Sequence, residues 1–293
     1  MLSEVPPGNG GLALRRAVVL VFAAAAAAVH ADGSPPPVLS YAGPAELVLG
    51  PSRALASESG LFTNPAAIQA TRRFALDAQG LLGYTGGNYS EHAFQLSSVD
   101  SQSTSLAVGA AFSKLQSGSL RGTATTLALA HALFGNSLQI GVAGHLLELH
   151  GRAQVETVTG DAGFAWQFGA FRLGGAIANL HAPEAAAALP LTTGLGAAVQ
   201  LAELQFVGDW TRRIPDGSGA TDALGGGVAW TPCACATIRG GYLHDDSLGG
   251  HLAAAGLSFG SGALTADVGY RITLHGEHHQ SIAAGVKLVV TAR

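Results

Sequence analysis

The segment from Thr123 to Leu149, TATTLALAHALFGNSLQIGVAGHLLEL, constrains the fold more than any other part of the chain. Leucines alternate with small residues before a Gly-Asn turn, and Ile140, Val142 and Leu146 alternate with small or polar residues after it. Alternation with a period of two on both sides of such a turn predicts a β-hairpin. Each predicted strand has about ten residues, which is long for a soluble sheet and enough for a tilted strand to cross a bilayer.

The same alternation recurs as far as the C-terminus and predicts fourteen strands. They are Arg73–Tyr84, Glu91–Ser98, Thr104–Leu115, Thr123–Phe134, Leu138–Leu149, Val155–Phe168, Phe171–Leu180, Pro190–Gln200, Leu204–Thr211, Thr221–Trp230, Ala236–Leu243, His251–Phe259, Leu264–Ile272 and Gln280–Val290. An even number of strands permits a closed barrel, and short connections alternate with longer ones, as in bacterial outer-membrane barrels. We therefore predict an all-β, transmembrane antiparallel β-barrel over residues 73–293, in the outer membrane and with both termini in the periplasm. A water-soluble sandwich or propeller is the alternative.

The alternation also assigns each side chain to a face, because successive side chains of a strand point in opposite directions. The outer face is apolar, with Trp166, Phe168 and Trp230 near the short turns and Trp210 and Tyr242 near the longer loops, as expected for two aromatic girdles. The charged residues on the predicted inner face are Asp161, Arg172, Asp209, Arg239, Asp267, Arg271 and Lys287. Either pairing with one another or contacts with a plug would satisfy these mixed charges.

Residues 1–72 lack the alternation of the barrel. Arg15 and Arg16 precede an apolar run over residues 17–29, which predicts a secretory signal peptide over residues 1–31. An uncleaved membrane anchor is the alternative, although the run is short for a spanning helix. Residues 32–72 are predicted to be a Pro-rich leader followed by a short helical or irregular plug, because the lumen is the obvious place to bury their apolar side chains. Asn64 and Pro65 predict the start of a helix that continues to about Thr71.

The composition limits the function. Apolar residues make up 48% of the chain, charged residues make up 12%, and there are 41 glycines, which fits a barrel that is apolar outside and lined by small residues. The net charge is −4 and no basic stripe occurs, so we expect no nucleic-acid partner. No set of nucleophile, base and oxyanion donors can be assembled from the sequence, so we predict neither an enzyme nor a cofactor.

Two further groups of residues carry side chains that occur in binding sites. His275, Glu277, His278 and His279 carry metal-ligating atoms, but their spacing is not that of a recognised metal site, and a solvated loop is favoured. Cys233 and Cys235 would share a face of an extended strand and would be poorly placed for a disulfide. We interpret them as small residues near a turn.

Over residues 47–293 the chain resembles the FadL-like outer-membrane barrels, and among them it is similar to PorV/PorQ-type members. The most specific part is ASESGLFTNPAAIQA at residues 56–70, which matches the polar stretch and Asn-Pro-Ala motif of the family at Asn64, Pro65 and Ala66. Weaker similarities are LGGAIANL, LPLTTGLGAAVQL and the closing DVGYRITLHGEHHQSIAAGVKL. The resemblance implies a fourteen-stranded barrel with the Asn-Pro-Ala segment in an N-terminal plug.

The resemblance also implies two kinds of function. FadL-like proteins transport hydrophobic small molecules passively across the outer membrane, whereas PorV-like proteins bind other proteins as anchors or shuttles in secretion. The expected partners are therefore outer-membrane lipid together with a hydrophobic ligand or secretion-system proteins.

Overall fold

The computed structural model describes residues 43–50, 53–55, 59–70, 72–118, 120–150, 154–181, 189–214, 219–246, 250–275 and 278–290. The predicted signal peptide, most of the predicted leader and Glu277 lie outside these ranges.

The described chain forms fourteen antiparallel strands. They are β1 (Phe74–Thr85), β2 (Asn88–Asp100), β3 (Leu106–Ser117), β4 (Leu120–Leu133), β5 (Leu138–His150), β6 (Gln154–Phe168), β7 (Phe171–Ala178), β8 (Leu191–Leu201), β9 (Leu204–Ile214), β10 (Thr221–Cys233), β11 (Ala236–Asp245), β12 (Gly250–Ser261), β13 (Leu264–Thr273) and β14 (His279–Val290). Each strand pairs with its neighbours in sequence, and β1 pairs with β14 from Phe74↔Val290 to Thr85↔His279. The sheet is therefore a closed barrel, which confirms the predicted fold and strand number. The sandwich and propeller alternatives are wrong.

The observed strand ends lie within three residues of the predicted ones. The largest differences are extensions, such as β9 to Ile214 in place of Thr211 and β10 to Cys233 in place of Trp230. Backbone pairing continues there past the last regular apolar residue, so hydropathy alone underestimates the strand length.

The two ends of the barrel differ. The turn end contains Phe74, Val290 and short connections such as residues 169–170 and 202–203, and the loop end lies opposite. The strands β7 and β8, and β9 and β10, are joined by longer connections at the loop end, but β1 and β2, and β3 and β4, are joined there by short ones, and a connection of similar length to some loop-end ones, residues 101–105, lies at the turn end. The predicted asymmetry of connection length therefore holds only in the second half of the chain.

The outer face of the barrel is apolar, as the alternation predicts. Leu127, Leu146 and Val158 are more than half exposed on it, whereas their neighbours in sequence are more buried. All five residues of the predicted aromatic girdles are exposed at the predicted ends of their strands. An outward apolar surface of this extent is expected for a barrel that faces lipid.

The described residues between positions 43 and 70 lie inside the barrel and are called the plug below. They contain two short helices, α1 (Pro44–Leu49) and α2 (Gly60–Thr63), and a 3₁₀ helix (Pro65–Gln69). Helix α1 contacts β10–β14, and the 3₁₀ helix contacts β3–β6. In the described part of the chain, no helix has both the length and the hydrophobicity needed to cross a membrane.

Both halves of the plug pack against apolar side chains of the barrel wall. Leu61 and Ile68 pack on Ala107, Ala111 and other small inner-face residues of β3–β5, and Leu47 packs near Leu81 of β1. The wall of the lumen thus buries the apolar side chains of the plug, which the plug could not bury by itself.

Candidate functional site: the plug and the barrel lumen

Asn64 is the central polar contact of the plug. Its side-chain Oδ1 accepts a hydrogen bond from the Ala66 backbone N–H at 3.1 Å, which caps the 3₁₀ helix. Its Nδ2 donates to the backbone carbonyl oxygens of Arg53 and Phe164, both at 2.8 Å. The side chain is fully buried and joins two parts of the plug to β6. The predicted helix start at Asn64 is therefore present, although the helix is of the 3₁₀ type and ends at Gln69 instead of about Thr71.

Arg53 is a second polar contact between the plug and the wall. Its backbone N–H donates to Asp209 Oδ1 at 2.8 Å, and its guanidinium donates to Thr211 Oγ1 at 2.7 Å. Burial lowers the pKa of Arg53 below its usual value, while the nearby Asp209 carboxylate acts in the opposite direction. Because a buried guanidinium is costly without compensation, Asp209 and Thr211 of β9 stabilise this position of the plug.

Glycines on the inner wall allow the plug backbone to approach the strands closely. A Cβ atom at Gly141 would lie 2.5 Å from the Ala66 nitrogen, and one at Gly269 would lie 2.6 Å from the Pro44 carbonyl oxygen. Similar conflicts with plug backbone would arise at Gly174 and Gly241. The small residues of this part of the wall therefore accommodate the plug.

The predicted inner-face charges all belong to inward positions of their strands, and they fall into three groups. Asp209 holds the plug, as described above. Arg239 pairs with Asp267 at 3.2 Å, and Asp161 Oδ2 lies 2.9 Å from His145 Nε2. The others are Arg172, which donates to Gln139 Oε1 at 3.3 Å, Lys287, which borders a cavity, and Arg271, whose Nε atom is buried. Both expected uses of the lumen charges, mutual pairing and contact with the plug, therefore occur.

Sequence reasoning missed several inner-face charges near the loop end. The Arg213 guanidinium pairs with both Asp245 carboxylate oxygens at 2.9–3.1 Å, and Glu91 lies 3.6 Å from His279. Arg213 points to the same face of β9 as Asp209, and Asp245 points to the same face of β11 as Arg239. Extending the predicted strands by two residues would have found this pair.

The inner wall also carries large apolar side chains, which a water-filled pore would not need. Leu81 of β1, Leu115 of β3, Leu147 and Leu149 of β5 and Leu252 of β12 point inward in the loop-end half and are buried. All but Leu252 belong to β1–β5, whereas the charged pair of Arg213 and Asp245 belongs to β9 and β11. In the loop-end half, the inward leucines are therefore concentrated on β1–β5, where Glu91 of β2 is a charged exception, and the pair of Arg213 and Asp245 lies on other strands.

A cavity of about 300 Å³ lies at the turn end below α1. Its walls include Glu46 and Leu49 of α1, Leu55, and residues of β7, β8, β9, β11 and β14. Charged side chains on the barrel side are Arg172, Arg239 and Lys287. The cavity is thus mixed in polarity and predominantly cationic.

The three candidate metal ligands that the structure describes are not brought together, and Glu277 lies outside the described residues. His279 points into the lumen towards Glu91, whereas the His275 ring stands at 6.2 Å from the ring of His251, and His278 is exposed. In the ranges that the structure describes, no group of three or more His, Cys, Asp or Glu side chains could hold a metal ion.

Cys233 and Cys235 form a disulfide, so the prediction that they are poorly placed for one is wrong. The pairing of β10 with β11 shifts in register between Trp230 and Cys233, and the chain turns at this point. The Cα atoms are consequently 5.2 Å apart, within the usual disulfide range.

A short stretch of β12 matches the G-x-S-x-G pattern of hydrolases at Gly256 to Gly260. The stretch lies in the middle of the strand instead of at a strand-to-helix turn, which the nucleophile elbow requires. Ser258 faces Asp267 and Arg239 and hydrogen-bonds with both. Its surroundings are those of a structural lumen residue.

No protein-family model matches the sequence, and no curated protein matches it either. Solved structures of similar fold include the toluene transporter TbuX of Ralstonia pickettii, at 13% identity and a TM-score of 0.66 over 87% of this chain and 100% of TbuX. The toluene transporter TodX of Pseudomonas putida is 12% identical, with a TM-score of 0.67 over 88% of this chain and 99% of TodX. At these identities the similarity shows a shared fold: an antiparallel, closed barrel of fourteen strands with short helical pieces at its N-terminal side.

Proposed function

We propose that this protein is an outer-membrane barrel that lets small hydrophobic molecules pass across the outer membrane without energy input. The observation that carries the proposal is the leucine lining of the loop-end lumen on β1–β5. Porin interiors are polar because they conduct water and hydrophilic solutes, whereas buried leucines on an inner wall favour an apolar solute. The apolar outer face fits a lipid environment, and the toluene transporters TbuX and TodX share the fold.

The plug gives the proposed pathway its selectivity. The plug occupies the lumen and lies against the glycines of the wall, so a solute must pass beside it or displace it. Helices α1 and α2 and the 3₁₀ helix are short, and short segments of this kind rearrange at low free-energy cost when their few specific contacts are lost. In this proposal the Asn-Pro-Ala segment holds the plug, and the turn end faces the periplasm together with both termini.

Transport can be tested with proteoliposomes that contain the purified full chain. Uptake of radiolabelled toluene should exceed that of protein-free vesicles, and L147N should reduce it, because an amide at that inner position costs about 1–3 kcal/mol to desolvate next to an apolar solute. A matched control is E203Q, which changes an exposed residue of a turn-end connection. Uptake no faster than in protein-free vesicles, or equal uptake by L147N and the parent protein, would refute the proposal.

The similarity to PorV/PorQ-type barrels and a role in protein anchoring remain predictions from sequence. A stoichiometric protein partner recovered with the barrel from outer membranes, together with a lack of toluene uptake, would favour that role.

A further inference from the structure

The cavity at the turn end contains a cationic side chain whose charge lacks a matching carboxylate. Arg239 is paired with Asp267, and Glu46 and Lys287 add one charge of each sign to the lining. Arg172 makes one hydrogen bond, at 3.3 Å, to the neutral Gln139 side chain. Its Nε atom is buried and has no hydrogen-bond partner within the described ranges, and no Asp or Glu carboxylate there forms an ion pair with it.

This arrangement is unfavourable unless something else occupies the cavity. A partly buried guanidinium loses water contacts, and a single long hydrogen bond to an amide replaces few of them. Arg172 is the second residue of β7 and follows Phe171. The wall and α1 therefore restrict how far its side chain can move. A bound anion would supply the counter-charge that the described side chains do not provide.

The cavity also limits the size and shape of that anion. A volume of about 300 Å³ is at the lower end of the range for small-molecule sites. Leu49 and Leu55 give it an apolar wall on the plug side, while Gln167 and Gln205 offer neutral amides near the guanidinium. A planar carboxylate matches the two-pronged donor geometry of arginine.

We propose that this cavity is a binding site for a small organic carboxylate, with Arg172 as its charged anchor and Leu49 and Leu55 against its apolar part. The site differs from the leucine-lined region by its position at the turn end and by the charge of its ligand. It does not depend on the proposed transport of uncharged molecules, because it concerns binding to the purified barrel.

The test uses benzoate as the probe and toluene as its uncharged analogue, with the full chain in detergent. Titration calorimetry and thermal unfolding are measured for the parent protein, R172Q, R172K and the control R121Q. Arg121 is an exposed cation on the outer face of β4 near the loop end, so R121Q removes the same charge without touching the cavity.

We expect benzoate to bind the parent protein and R121Q equally. R172Q should bind it about 10- to 100-fold more weakly, as expected for the loss of a charge-assisted hydrogen bond, and R172K should fall between them. Benzoate should raise the unfolding temperature of the parent protein but not of R172Q. Without ligand, R172Q should unfold at an equal or higher temperature, because it no longer buries an uncompensated charge.

Three results would overturn the proposal. The first is the absence of benzoate binding by the parent protein, and the second is equal affinity in R172Q. The third is toluene binding that R172Q weakens as much as benzoate binding, since the site would then not select for charge. A failure of toluene uptake in vesicles would leave these results unaffected, so the two proposals can fail separately.

Discussion

Replacing Asn64 by alanine should loosen the plug and leave the barrel intact. The substitution removes three hydrogen bonds, those from Nδ2 to the carbonyl oxygens of Arg53 and Phe164 and the one that Oδ1 accepts from Ala66. At about 0.5–1.5 kcal/mol net for each bond, the plug should lose about 2–4 kcal/mol. Since 1.4 kcal/mol corresponds to a factor of ten, the open population of the plug should rise on the order of 100-fold.

Hydrogen exchange followed by mass spectrometry separates the plug from the barrel. In N64A, peptides that cover residues 59–70 should exchange on the order of 100-fold faster, whereas peptides from β4–β6 should keep the rates of the parent protein. The strands are expected to be unaffected because their backbone ladders do not use the Asn64 side chain.

Two variants of the same segment serve as controls. N64D keeps an acceptor for the Ala66 N–H but loses the donor and places a carboxylate against two carbonyl oxygens, so its effect should equal or exceed that of N64A. T63A removes one local hydrogen bond of 3.3 Å to the Ser59 carbonyl oxygen and should change exchange by no more than about threefold. Parent-like exchange of the plug in N64A, or equal acceleration of plug and strands, would refute the assignment of Asn64 as a specific plug contact.

Three further predictions concern the close approach of plug and wall, the role of the plug and the orientation of the barrel. G141A should displace the 3₁₀ helix and speed amide exchange in the plug, because the new Cβ would meet plug backbone. G144A, on the same strand, should leave exchange unchanged, because a Cβ there has no neighbouring atom within 4 Å. Equal effects of the two variants would contradict this explanation. Deletion of residues 43–70 should raise the conductance of the barrel in planar bilayers, and an unchanged conductance would show that the plug does not obstruct the lumen. A cysteine at the loop-end residue Ala220 should react with a membrane-impermeant maleimide in intact cells, while one at the turn-end residue Glu203 should react only after lysis; the reverse pattern would invert the proposed orientation.

Strand number and the assignment of faces could be predicted because a barrel strand repeats one simple rule. In β14, for example, Ile282 and Leu288 point out while Ser281 and Ala283 point in, as the period of two requires. The rule depends only on neighbours in sequence, so an error in the bounds of one strand does not change the face assignment in the next strand. The same rule places a charge such as Asp209 on the inner face without information about its partner.

The partners could not be predicted, because they depend on contacts between distant parts of the chain. Arg53 and Asp209 are 156 residues apart in sequence, and the plug segment has no periodicity from which its orientation could be derived. The Cys233–Cys235 disulfide was missed for a local reason, since a register shift ends the extended geometry that the prediction assumed. The sequence predicts Asn64 as a helix cap because Pro65 follows it, but its hydrogen bond to the Phe164 carbonyl oxygen can be seen only in the folded barrel.

The distribution of contacts around the plug bears on how a solute could pass it. The polar contacts of Arg53 and Asn64 attach the plug to β9 and β6, and Asn64 also joins them through the Arg53 carbonyl oxygen. On the side of β3–β5 the described contacts are apolar packing, such as Leu61 and Ile68 on small residues.

The leucine side of the lumen is formed mainly by β1–β5, so under the proposed function a hydrophobic solute reaches the plug where the contacts are least directional. Such a solute can replace apolar packing with its own surface at little net cost, whereas it cannot replace the hydrogen bonds at β6 and β9. The plug can therefore stay attached on one side while the solute passes on the other.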